Sequence, residues 1–159
     1  MHAHDADAST QRPPALVGRR LLALLYDLFP ALALWFLVAV PFALLDVAVS
    51  GDVRHNIGAF SVLQWLLWAT CWLVTGLYTT ASWYRGGQTL GMRPWRLRLV
   101  SLQGRPPTRA AVWRRYAVGT MSLLAGGLGF WWAWLDRDRL AWHDRASGTR
   151  LVRVPKAER

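Results

Sequence analysis

Apolar residues in this 159-residue chain are gathered into three blocks, and the length of those blocks limits what it can fold into. Leu21 to Leu45 holds 25 residues with one charge, Asp27; Phe60 to Tyr84 holds 25 with none; Tyr116 to Leu135 holds 20 with none. A hydrocarbon core of roughly 30 Å takes about 20 residues of helix at 1.5 Å each, so each block is long enough to cross. A helical bundle in water would need a polar stripe on every helix, whereas Phe60 to Tyr84 offers only scattered Ser, Thr and Gln. Charged residues make up 18% of the chain, and its eleven Trp exceed what a soluble core of this size needs. The expected fold class is an all-α membrane protein: two transmembrane helices, a third hydrophobic segment that re-enters or spans, and short cytoplasmic strand-like segments.

The first block begins only after twenty residues of mixed, largely polar character and is far longer than a secretory signal core, so it reads as a retained anchor. Pro30 and Pro41 lie inside it and predict a kinked helix. Cys71, the single cysteine, allows no internal disulfide and reads as a small hydrophobe.

Charge predicts orientation. Segment 85–115 holds eight Arg and no acid, 136–159 holds seven basic residues against four acidic, and the short 46–59 segment carries a net −1. Basic residues in short loops mark the cytoplasmic side, which places the N-terminus and segment 85–115 on that side and 46–59 outside. A full crossing by the third block would export the basic C-terminus. Three glycines in Leu124-Ala-Gly-Gly-Leu-Gly-Phe130 would let that block turn and return, leaving the C-terminus cytoplasmic and Trp131, Trp132 and Trp134 at headgroup level. The same glycines could instead serve only close helix packing.

Trp95 to Val100 alternates polar and apolar residues and ends in a Gly-Arg-Pro-Pro turn, and Thr149 to Val154 is also strand-like, so the two could pair beneath the membrane. Thr108 is placed to cap a helix running into the third block. Arg93, Arg96, Arg98, Arg114 and Arg115 are expected to face anionic lipid rather than nucleic acid, because the loop is tethered at both ends against the headgroups. Residues 1–15 read as a disordered tail, with His2 and His4 too few for a metal site; 16–154 form the membrane domain and 155–159 a C-terminal tail.

Asp27 needs a partner, since a carboxylate within a span almost always faces protein or a wet cavity. Arg20 lies seven residues earlier on nearly the same face, but about 10 Å away along the axis. The expected partner segment is Trp142-His-Asp-Arg-Ala-Ser-Gly-Thr149. Arg20 and Asp27 at the first span, Gly87-Gln-Thr-Leu-Gly91 after the second, and His143-Asp-Arg145 with Gly148-Thr-Arg150 together resemble the RDD family of bacterial membrane proteins. The family is named for one arginine and two aspartates, which map to Arg20, Asp27 and Asp144. Met92 before Arg93, and Trp142 before His143, depart from the usual pattern without touching those charges.

The resemblance implies a small polytopic domain with no enzymatic activity and no cofactor, for which transport of an unidentified ligand, or cation/proton exchange, is the usual suggestion. Arg20 would then balance Asp27 and Asp144 beside His143 at the cytoplasmic mouth. Gly87, Gln88, Thr89 and Gly91 would form a supporting loop with uncharged donors. Two or three helices enclose no pathway alone, so transport would require a homo-oligomer or larger complex, with Gly76, Thr75, Thr79 and Thr80 as the expected packing surface. The competing expectation is a non-catalytic scaffold or accessory subunit in which the charges fix the fold.

Overall fold

The computed structural model describes residues 16–53 and 56–155. The N-terminal tail with His2 and His4, and nearly all of the C-terminal tail, lie outside the described residues. Helix α1 (Val17–Ser50) runs unbroken through Pro30 and Pro41, and α2 (Val62–Gly86) follows a short connection. Ser61 starts α2 by accepting a hydrogen bond from the Gln64 amide. Both helices are long and apolar enough to cross a membrane. They leave large side chains outside, with Phe29, Phe36 and Leu37 each 72% exposed, as an element solvated by lipid requires. The two helices pack together, and Trp35 Nε1 donates to Thr75 Oγ1 at 2.8 Å.

The third apolar block is broken. Helix α3 (Arg109–Leu124) is capped by Thr108, as expected, and α4 (Leu128–Leu135) departs from it at 99°. The break falls at Gly126 and Gly127, with φ of 68° and 79°, where a β-carbon would strain the backbone. Short helix α5 (Trp142–Ser147) then leads into the sheet.

Strands β1 (Leu97–Ser101) and β2 (Thr149–Arg153) pair antiparallel, from Leu97 opposite Arg153 to Ser101 opposite Thr149. The expected pairing therefore forms, and it returns the chain to the end of the molecule where α2 finishes. Buried Leu97, Met92 and Ala23 pack together there, joining the sheet to α1.

One packing expectation needs correction. Gly76 does not present an open surface to another copy: a β-carbon on it would lie 2.7 Å from the Tyr116 ring of α3. The small side there lets α2 and α3 approach within the chain, and Tyr116 donates to the Trp72 carbonyl at 2.7 Å beside it.

Candidate functional site

Asp144 is the point at which four elements meet. It lies in the first turn of α5 and accepts from the Ala141 amide at 2.9 Å, satisfying an otherwise orphaned helix-start donor. Arg20 of α1 donates to one carboxylate oxygen and Arg115 of α3 to the other, each at 2.5 Å. Arg115 also reaches Thr149 of β2 at 3.0 Å. Relative exposure is 5% for Arg20, 3% for Arg115 and 0% for Asp144, so water screens none of these interactions. Burial opposes ionisation of Asp144, but the guanidinium groups of Arg115 and Arg20 outweigh it and hold the carboxyl well below the usual range.

His143 stands next to this group. Its Nε2 is 3.8 Å from Asp144 and its ring packs against Phe130. Burial, reinforced by Arg115, lowers its pKa to about 3 despite the opposing pull of Asp144, so the imidazole is neutral at physiological pH. Its Nδ1 has no hydrogen-bond partner among the described residues, and neither has Arg20 Nε.

Asp27 belongs to a separate constellation. Its expected partner segment is occupied elsewhere, and Arg20 is committed to Asp144 rather than balancing both aspartates. Neutral donors hold Asp27 instead: Thr89 Oγ1 at 2.5 Å, the Gly91 amide at 2.9 Å and the Tyr78 hydroxyl at 3.3 Å. The Gly-Gln-Thr-Leu-Gly stretch is shaped for this. Gln88 Nε2 donates to the Leu97 carbonyl and the Leu99 amide donates to Gly87, so β1 pins the loop. The Leu90 amide in turn donates to Tyr78. The segment is thus a cradle for Asp27, more than a connecting loop.

The basic residues divide. Arg93, Arg98 and Arg114 are exposed and Arg96 is half-buried, whereas Arg115 is not the lipid-facing residue expected. The helical phase of α3 turns Arg115 inward with Ala111 and Ser122, while Arg114 points out. The small residues at Ala111, Gly119 and Ser122, spaced at threes and fours around Arg115, are the signal that marks this face. Tyr78, the other residue not anticipated, has no comparable local mark.

Between α1, α2 and α3 lies a half-open cavity of about 760 Å³. Its walls are largely apolar, including Ala31, Trp35, Cys71 and Gly119, and Arg20, Asp27, Arg115 and His143 also line it. Among the described residues no group of His, Cys, Asp and Glu is suited to holding a metal.

The RDD family model matches residues 14–148. The chain belongs to the RDD family. No curated protein and no solved structure matches it. Membership and the two long apolar helices make this RDD protein a membrane protein. The match extends from the helix turn that carries Arg20 through the segment that carries its partner Asp144.

Proposed function

We propose that this RDD protein is a multi-pass inner-membrane protein that binds and carries a small ligand in the cavity between α1, α2 and α3, while its Arg-Asp-Asp charges hold the cavity walls. The observation that carries this reading is the cavity itself. About 760 Å³ lies within the roughly 300–1,000 Å³ typical of small-molecule sites, and a mostly apolar wall with a few polar groups is the usual composition. The arginine excess of segment 85–115 supports a cytoplasmic location for the sheet and for both chain ends.

Asp144 is a poor relay for a proton or cation, because its two oxygens are taken by Arg20, Arg115 and a backbone amide and it is closed to solvent. Asp27 lines the cavity and is the better candidate for exchange. If exchange occurs there, proteoliposomes will show cation-coupled proton flux that Asp27→Asn abolishes with folding retained.

The carrier reading is tested at Gly119. This residue lines the cavity and an added β-carbon there meets nothing within 4 Å, so Gly119→Leu is the substitution chosen to occupy cavity space. Native mass spectrometry of gently extracted protein should show a bound small molecule in the wild type and its loss from Gly119→Leu at unchanged thermal stability. Wild-type protein without a bound small molecule favours the scaffold reading, which the saturated Asp144 cluster supports. In that case Arg20→Ala lowers abundance and alters no flux.

A further inference from the structure

The second span ends beside two arginines that no described residue neutralises. Arg85 lies in the last turn of α2, one residue past Tyr84, where the apolar block stops. Arg109, the first residue of α3, holds its guanidinium carbon 5.0 Å above the Tyr84 ring. Both arginines and the tyrosine are exposed. No acidic residue occurs between Asp52 and Asp136, and the ion pairs formed by arginine among the described residues involve Arg20, Arg115 and Arg145 instead. Neither the Arg85 nor the Arg109 guanidinium donates a hydrogen bond to another described residue. The macrodipole of α2 accounts for a cation at Arg85 but disfavours one at the start of α3, so Arg109 has no support from its own helix.

Depth decides what can balance these charges. A tyrosine at the end of a span sits at headgroup level, and the contact with its ring holds Arg109 at that same level, beside Arg85. A guanidinium over a ring offers one face to it and keeps its edge N–H donors for another partner. That edge matches two oxygens of a phosphate group in a way that the point charge of lysine does not. We propose that Arg85 and Arg109, set about Tyr84 at the boundary of the second span, seat the headgroup phosphate of an anionic phospholipid. Two positive charges against one phosphodiester leave no place for the cation of a zwitterionic headgroup, so the seat selects lipids of net negative charge. The seat is separate from the cavity and holds whether or not a ligand is carried there.

The test titrates the intact protein, in uncharged detergent, with phosphatidylglycerol and phosphatidylcholine of matched chains, and reads the first binding event by native mass spectrometry. Each arginine near anionic headgroups contributes about fivefold, so phosphatidylglycerol should bind about 25-fold more tightly. Arg85→Gln combined with Arg109→Gln should abolish that preference in protein that keeps its wild-type melting curve. Arg105→Gln combined with Arg153→Gln removes the same charge from the turn after β1 and from β2, and should leave the preference in place. Equal affinity of the wild type for the two lipids, or an equal loss from both charge-matched pairs, would overturn the seat. Release of bound phosphatidylglycerol by excess inorganic phosphate would assign the site to a soluble anion and overturn the lipid. Arg109→Lys covers the case in which the glutamine pair does not fold. Affinity for phosphatidylglycerol should still fall although the charge is kept, and full retention would reduce the seat to diffuse charge and overturn it.

Discussion

Gly91 donates its amide to Asp27 at 2.9 Å and sits so close to α1 that no side chain fits between them. A β-carbon on Gly91 would lie 2.6 Å from both the Asp27 carboxyl carbon and its amide nitrogen, and would overlap the Ala23 carbonyl. The second glycine of the Gly-Gln-Thr-Leu-Gly stretch is therefore fixed by the approach of one backbone to another. Thr89 and Gly91 then serve as two jaws around the same carboxylate.

Gly91→Ala follows directly. The clash is against backbone, which cannot swing aside, so the variant should lose about 3 kcal/mol, at the upper end of overpacking effects. Gly119→Ala, where an added carbon meets nothing within 4 Å, should lose none of this. Melting of the two variants in the same detergent checks the contrast.

Arg114 and Arg115 are adjacent and chemically identical, yet should differ sharply on replacement. Arg115→Ala leaves Asp144 half-paired in a buried site and should cost about 3–5 kcal/mol, with low membrane abundance. Arg114→Ala alters an exposed position and should change stability by no more than about 0.5 kcal/mol. Expression level and detergent melting measure both.

Acidification should loosen the fold in two stages. The His143 pKa is lowered to about 3 from an ordinary 6.5, so the unfolded chain binds the proton first and stability falls as the pH drops from about 6.5 towards 3. The limiting slope is ~1.4 kcal/mol per pH unit. Asp144, whose pKa is also lowered, contributes stability above its ordinary value, and this is lost as the pH falls below about 4. Melting temperature between pH 7.5 and 4 should decline in the wild type, and His143→Leu should flatten the profile above pH 4.5.

The bend between α3 and α4 depends on two consecutive left-handed residues. Gly126→Ala and Gly127→Ala should each cost about 1–2 kcal/mol, the usual penalty for a β-carbon in that conformation. A thermal melt of the double variant should show a loss near the sum. No loss at either position would mean that the turn tolerates a side chain.

Much of this architecture is written locally. Block length marks α1 and α2, two-residue alternation marks β1, a strand-like run marks β2, Thr108 marks the start of α3, and paired glycines mark its break. Contacts between distant segments are harder to read. Arg20 and Asp144 are picked out by the family resemblance, but Asp27 could not be assigned to Thr89 and Gly91 from spacing, because the loop that presents them takes its shape from β1. Arg115 is hidden beside Arg114, since composition treats the two alike and only helical phase separates them. The cavity has no sequence mark, being the space left where three helices diverge.

The bond between Arg20 and Asp144 closes over 124 residues of chain. At about 5–20 residues per second, synthesis leaves the Arg20 guanidinium waiting roughly 6–25 s for its carboxylate to emerge from the ribosome. During that interval the first two helices can already be inserted, held by lipid alone, with an unmatched cation beside them. Completion of this molecule is therefore a late event, and a chain cut short before residue 144 would be threaded into the bilayer yet never fastened.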